Sequence, residues 1–224
     1  MQKPLAMDSL SLKYYPVQIV SILICLVAAV NFGLTSLWSQ LTEHKTLTLW
    51  QQVLCIAGTY GVAMTALTYL NKYGMWKPYI KLLGLCDIRG RYKGVIISSY
   101  HYEDNPDLPH VTVYLEATIA QNLNGFYVEM RCFSDPGRIQ LTSESVSHDG
   151  TIKKEPEGTY RIVYFYSNKG NLLHPANKEV GLTSHDGVCV LKFDPWTGIL
   201  TGDYFTHERS SYGKITMEPE PERK

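Results

Sequence analysis

Apolar and polar positions divide the chain into two regimes. Val17–Trp38 reads VQIVSILICLVAAVNFGLTSLW and Leu47–Asn71 reads LTLWQQVLCIAGTYGVAMTALTYLN, and neither carries a charge. Each is close to the roughly 20 residues that a helix needs to cross a bilayer. From Gly90 onward the pattern changes to short alternating runs rich in β-branched and aromatic residues, the signature of strands. These runs are RYKGVIISSYHY, HVTVYLEATIAQ, FYVEMRCF, RIQLTSESVS, TYRIVYFYSN, GVCVLKF, ILTGDYFTH and GKITMEP. Asn124-Gly125 reads as a type I′ hairpin turn. Asp135-Pro136-Gly137, Asp149-Gly150, Asn168-Lys169-Gly170, Asp186-Gly187 and Asp194-Pro195-Trp196-Thr197-Gly198 read as further turns or bends. Closing eight antiparallel strands into an up-and-down barrel removes the sheet edges and leaves an interior able to hold one small ligand, so a barrel is expected ahead of a sandwich.

The expected architecture is a membrane protein with an N-terminal two-helix transmembrane hairpin, followed by an all-β eight-stranded antiparallel barrel. Residues 1–16 form an N-terminal segment, 17–38 the first span, 39–46 an external loop and 47–71 the second span; 72–86 is a connector, 87–217 the barrel and 218–224 a frayed tail. The first span is too long for a signal-peptide core, and no small-residue cleavage site precedes a mature domain. The second carries Gln51, Gln52, Thr59, Tyr60 and Thr65, which suits a helix packed on a partner. The competing reading, a core helix of a soluble domain, fits its length poorly. Tyr14, Tyr15, Trp38, Trp50, Tyr69, Tyr73 and Trp76 bracket the spans, as headgroup-level aromatics do. Lys3 and Lys13 precede the first span, and Lys72, Lys77, Lys81, Arg89, Arg91 and Lys93 follow the second, whereas the intervening loop holds only Lys45. The positive-inside rule then places both termini and the barrel in the cytoplasm. Ser21, Cys25, Ala29 and Gly33 form a small-residue stripe on the first helix, and Ala57, Gly61 and Thr65 form one on the second. Such stripes serve packing within the hairpin or, alternatively, oligomerisation.

Composition and motifs narrow the chemistry. With 21 basic and 21 acidic residues, no net charge draws the chain to a DNA or RNA polymer. The five cysteines, Cys25, Cys55, Cys86, Cys132 and Cys189, are odd in number and form no CxxC pair, which argues against a disulfide framework or a zinc site. No HExxH, phosphate loop, GxGxxG or GxSxG occurs, so neither an enzyme nor a metal or cofactor is expected. Ser184, His185 and Asp186 are sequence neighbours, and a triad is assembled in space. His207-Glu208-Arg209 reads as a solvated turn unless the barrel mouth opens there.

Strand parity describes the interior. Ile162, Tyr164 and Tyr166 share one face, with Arg161, Val163 and Phe165 on the other. Ile139, Leu141, Ser143 and Ser145 likewise share a face. Apolar residues giving way to hydroxyls suit a lining dry at one end and polar at the other; the alternative is a packed core with ordinary rim residues.

A helical hairpin followed by a β-domain beginning RGRYKGVIISSY resembles a known family: the SMODS-associated effectors with two transmembrane helices and a β-strand-rich domain, found in bacterial CBASS anti-phage operons. The resemblance spans essentially the whole chain. Gly90, Gly94, Ser98, Ser99 and Tyr100 match its first strand, Gln121 its IxQ-type segment, and Ser143 and Ser145 its alternating serines. Tyr164, Tyr166 and Asn168 match YxYxN, His185 and Gly187 match HxG, and Gly202, Tyr204, Thr206, Arg209 and Gly213 match the closing segment. The chain departs from the pattern at Tyr92, where Trp is expected, at Leu123, where an aromatic is commoner, and after Asn168, where Lys-Gly follows without a nearby Pro.

The resemblance implies a cytoplasmic barrel that binds a cyclic dinucleotide made by a partner nucleotidyltransferase after infection. Binding would drive self-association in the inner membrane, disrupt the lipid bilayer and kill the infected cell. On that basis the candidate ligand residues are Tyr164 and Tyr166 for base stacking and Ser143, Ser145, His185 and Arg209 as donors to phosphate, with Arg131 and Arg91 as further cations. The alternative function is a membrane-tethered carrier or sensor of a small apolar ligand; a scaffold that binds a protein partner along the outer barrel wall is a further class.

Overall fold

The computed structural model describes residues 17–41, 49–73, 86–99, 110–122, 125–171, 184–206 and 211–221. The chain divides into two compact units, one holding the helices and the other the barrel.

Helix α1 is Val17–Leu41 and α2 is Leu49–Lys72. Within α1, Ile24–Leu41 has a mean hydropathy of 1.5 and is long and apolar enough to cross a membrane, whereas the apolar stretch of α2, Val53–Ala66, is shorter. The two helices touch. Half-buried positions recur every four residues, at Val27, Asn31, Thr35 and Ser39 on α1 and at Cys55, Thr59 and Ala63 on α2. The small-residue positions Cys25, Ala29, Gly33, Ala57, Gly61 and Thr65 are exposed instead, and the side chain of Ser21 lies outside the described ones. Hydroxyls fit the contact because they are satisfied within their own helices: Thr35 donates to the Phe32 carbonyl at 2.8 Å, Ser39 to that of Ser36 at 2.7 Å and Thr59 to that of Cys55 at 2.8 Å.

The second unit is a closed barrel in which each strand pairs antiparallel with its sequence neighbour, and the last pairs with the first. Its strands are β1 (Gly90–Ser98), β2 (Val111–Asn122), β3 (Gly125–Phe133), β4 (Leu141–Lys154), β5 (Tyr160–Gly170), β6 (Ser184–Phe193), β7 (Leu200–Thr206) and β8 (Tyr212–Pro219). Closure sets Gly94 opposite Met217, Ile96 opposite Ile215 and Ser98 opposite Gly213. Inward positions supply the core; Leu115, Ile162, Leu191, Leu200 and Met217 are fully buried, the alternation that a barrel requires.

Several turn expectations move. Asp149-Gly150 lies inside β4, where the register shifts between Ser147 and Asp149, a β-bulge in place of a turn. Asn168-Lys169-Gly170 lies inside β5 and Asp186-Gly187 inside β6. The turn that ends β4 is Glu155–Thr159, with Gly158 at φ 90°. At the start of β4, the Asp135 carboxylate accepts from the amides of Ile139 (3.1 Å) and Gln140 (2.7 Å), which keeps these amides out of the ladder. Ile139 is therefore exposed and β4 begins at Leu141. Glu218 and Pro219, expected in the tail, complete β8, and the Glu220 amide donates to the Arg91 carbonyl at 2.7 Å.

One end of the barrel is closed. The chain enters there through Cys86 and Ile88, both buried. Gln121 holds this segment: its Nε2 donates to the Cys86 carbonyl at 2.8 Å, and its Oε1 accepts from the Ile88 amide at 2.9 Å. The buried Tyr92 hydroxyl donates to the Ile88 carbonyl at 3.0 Å. The β4–β5 and β6–β7 turns lie at this same end.

Candidate functional site

The opposite end is polar. Register places Ser143 opposite Gly170, Ser145 opposite Asn168 and Ser147 opposite Tyr166 between β4 and β5. Between β5 and β6, Tyr166 faces Gly187 and Asn168 faces His185; β6 and β7 set Gly187 opposite Thr206. Ser98 comes from β1 and Thr206 from β7. Ile162, Tyr164, Tyr166 and Asn168 thus follow one another on the inner side of β5, from apolar core to polar mouth. The dry-to-polar gradient read from strand parity is present along β5; on β4 it is not, because Leu141 lies at the mouth end beyond Ser143 and Ser145, and Ile139 is exposed outside the strand.

Aromatic rings run along that gradient. Phe126 meets Tyr164 edge-on at 6.2 Å, Tyr164 lies 6.4 Å from Tyr166, and Tyr166 meets His185 edge-on at 6.3 Å. Glycine makes the room: a Cβ on Gly187 would sit 2.5 Å from the Tyr166 ring and hydroxyl and 2.5 Å from the Phe205 carbonyl. The Tyr164 hydroxyl, hydrogen-bonded to the Cys189 sulfur, is pushed well above the usual tyrosine range, first by burial and then by Cys189. Burial likewise raises the Cys189 thiol to about 12 and that of Cys132 to about 11. None of these three groups ionises near neutral pH, so the inner wall below the mouth is uncharged.

At the mouth, Asn168 Nδ2 and His185 Nε2 lie 3.2 Å apart, and His185 is buried. The Asn168 Oδ1 is buried with no hydrogen-bond partner among the described residues, an acceptor left open to whatever enters. The Tyr204 hydroxyl donates to Ser98 at 2.7 Å, and Thr206 Oγ1 lies 2.7 Å from the Ser211 hydroxyl. Ser147 has a different task, accepting from the Val128 amide at 2.8 Å beside the bulge.

Of the residues expected at a ligand site, Tyr164, Tyr166, Ser143, Ser145 and His185 share this inner lining. Arg131 projects from the outer wall, where its Nε lies 3.1 Å from the Glu144 carboxylate. Arg91 is also exposed, on the outer wall toward the closed end. Their neighbours Met130, Cys132 and Tyr92 are the inward residues, so the pleat turns both arginines outward. Arg209 lies outside the described residues. Among the described residues, no Lys or Arg faces inward at the mouth. Asn168, Ser98, Tyr204 and Thr206 join the lining without having been assigned a ligand role from sequence; parity from Tyr166 was sufficient to point to Asn168. Among the described residues no group of His, Cys, Asp and Glu could hold a metal ion.

No curated protein and no solved structure matches the chain. The family model described as Cap15, cyclic dinucleotide receptor domain, matches residues 84–219, more than half of the chain and the whole of the barrel. The chain belongs to this cyclic dinucleotide receptor family, a family of CBASS effectors.

Proposed function

We propose that the chain is a membrane-anchored, non-catalytic effector that binds a cyclic dinucleotide at the polar mouth of its barrel, self-associates through its helices, and disrupts the bacterial inner membrane. The observation that carries the binding step is the buried mouth, where the open acceptor of Asn168, the His185 imidazole and the edge of Tyr166 converge. A cyclic dinucleotide presents flat bases for stacking, base edges for hydrogen bonds and two phosphates. In this reading Tyr166 packs on a base and Asn168 reads a base edge. Ser143 and Ser145 donate to phosphate oxygens, the phosphate charge is met by Arg209, and the His185 imidazole is a further hydrogen-bonding group.

The membrane step rests on α1, which holds an apolar window of crossing length, and on the shorter apolar stretch of α2. We assign both helices to the membrane, as a hairpin with the barrel in the cytoplasm, on the lysine distribution and the bracketing aromatics. A partner nucleotidyltransferase would make the signal. Switching from 1:99 to 99:1 in favour of the assembled state requires about 5.5 kcal/mol of differential ligand binding, so binding and assembly are separable steps.

Titration calorimetry of the full chain in detergent against a panel of cyclic dinucleotides tests the reading. Saturable binding to at least one member, weakened tenfold or more by Asn168→Ala and Tyr166→Ala, is expected. No binding across the panel would refute it, and uptake of an apolar fluorophore in its place would favour the carrier.

A further inference from the structure

The outer wall of the barrel carries a row that the interior chemistry does not use. Cross-strand register places Phe165 opposite Val188, Val188 opposite Phe205, and Phe205 opposite Tyr212, a line across β5, β6, β7 and β8. Phe165 is 57% exposed, Phe205 50% and Tyr212 62%, and Ile97 on neighbouring β1 is 47% exposed. A soluble barrel gains nothing by holding three aromatic rings side by side in water, and contiguous apolar patches of this kind mark interaction sites.

Directly below the row, Asp203 on β7 is the cross-strand partner of Lys214 on β8. Both are exposed. Neither takes part in an ion pair among the described residues.

We infer that this wall is a contact between two copies of the chain, related by a two-fold axis that lies between the two walls, parallel to the strands and over the midpoint of Asp203 and Lys214. The strand order β6-β7-β8-β1 makes the face self-complementary under that axis, which exchanges β7 with β8 and β6 with β1. Asp203 of one copy meets Lys214 of the other, and the reverse. Val190, at the Asp203 level of β6, meets Ile97, at the Lys214 level of β1. Phe205 of one copy meets Tyr212 of the other, and the reverse, because the two are cross-strand partners at one level. An isologous contact needs this kind of self-complementarity. A bilayer is the weaker occupant, because the charged residues flanking the aromatic row are Asp186, Asp203 and Lys214, two acids and one base, and an anionic lipid surface would be met by cations alone.

Each of the three aromatics and Ile97 offers on the order of 100 Å², so the patch totals roughly 400 Å², about half of the ~800 Å² per partner of a standard interface. The contact is therefore too small to hold free barrels together and becomes effective where tethering to a membrane raises the local concentration. This inference rests on the proposed self-association, but it is read separately from ligand binding.

The test uses the full chain in lipid nanodiscs. Copies carrying Asp203→Asn are mixed with copies carrying Lys214→Gln and treated with a zero-length carbodiimide. An amide between Asp203 and Lys214 can then form only between copies: the activated carboxyl of one is attacked by the amine of the other, with loss of the urea by-product. A cross-linked dimer carrying that linkage by mass spectrometry is expected. Adding Phe205→Glu to both copies should reduce its yield at least tenfold while leaving calorimetric binding of cyclic dinucleotides within threefold. Absence of the cross-link, or a yield indifferent to Phe205→Glu, overturns the contact. If the aromatic substitution abolishes vesicle binding without changing the cross-link, the row docks on lipid and the inference fails. Failure of the whole cyclic dinucleotide panel with the cross-link present would refute the ligand reading alone.

Discussion

Gln121 offers the sharpest test of how the barrel holds the incoming chain. Its amide closes two bonds on one short segment, donating to the Cys86 carbonyl at 2.8 Å and accepting from the Ile88 amide at 2.9 Å. Both residues are buried, Ile88 completely, so water cannot replace the lost partners in full. Each bond contributes about 1 kcal/mol net, and stranding a buried carbonyl and amide adds to that, so Gln121→Ala is expected to cost about 2–4 kcal/mol. For a unit of this size that is a fall of roughly 6–15 °C in Tm. Gln121→Glu is more discriminating, because it keeps the acceptor for Ile88 but, when ionised, loses the donor to Cys86. Only the protonated acid can donate to that carbonyl, so the folded state favours the neutral form and raises the glutamate above its ordinary value of about 4.3. Between the unfolded and the raised folded pKa the native state binds more protons, and stability therefore falls as pH rises. Thermal unfolding of the full chain, followed by circular dichroism, should show Gln121→Glu near wild type below about pH 4 and near Gln121→Ala by pH 7. A wild-type-minus-mutant difference that stays flat from pH 4 to pH 7, or a loss under about 0.5 kcal/mol for Gln121→Ala, would refute the bonding described here.

Other perturbations follow from the same geometry. Gly187→Ala forces a methyl against the Tyr166 ring and the Phe205 carbonyl; a cost of about 1–3 kcal/mol is expected, with loss of affinity for any mouth ligand by calorimetry. Burial raises the thiols of Cys86 and Cys189 to about 12 and of Cys132 to about 11. All three should therefore stay silent to a thiol reagent at pH 8 until the barrel unfolds, and prompt labelling of any of them would contradict its burial. Arg131→Ala breaks only an ion pair in which both side chains are about half exposed. Stability by chemical denaturation should change by less than about 1 kcal/mol and ligand affinity should not change; a large loss of affinity would place Arg131 at the ligand after all.

The barrel was legible because alternation and turn chemistry agreed over most of its length. TYRIVYFYSN assigns its own inward residues by parity, and β5 obeys it from Tyr160 to Tyr166. Parity also carried information against Arg131 and Arg91, each adjacent to an inward residue, but a demand for cations near phosphate outweighed it. Asp-Gly misled at Asp149-Gly150, because an inward glycine that lets Phe126 and Tyr164 pack has the same spelling as a turn. The second half of β4, Thr151–Lys154, alternates polar residues around a single half-buried Ile152 and so carried little strand signal. The meeting of Asn168 with His185 was beyond single-sequence reading, since it depends on a register fixed by Tyr166 lying over Gly187. On the helices, small residues suggested where backbones would approach, yet the half-buried stripes run through Asn31, Thr35 and Thr59. Side-chain hydroxyls bonded to their own carbonyls are nearly as undemanding at a helix contact as alanine.

The two ends of the barrel have opposite tasks, and this constrains how a signal could travel. The chain enters through the closed end at Cys86 and Ile88, whereas the mouth lined by Asn168 and His185 lies at the far end of the strands. A closed barrel has no sheet edge to open and no hinge between its strands, so a ligand at the mouth has little leverage on the entry segment through the core. Leverage on the wall is greater. Tyr166 lies over Gly187, and its hydroxyl and the Phe205 carbonyl both border the space that a Cβ on Gly187 would fill. Phe205 sends its side chain outward into the row with Tyr212. A base stacked on Tyr166 therefore acts one residue's thickness from the exposed aromatic wall. In the proposed assembly, the shorter physical route from a ligand at the mouth to a second barrel runs sideways through β7.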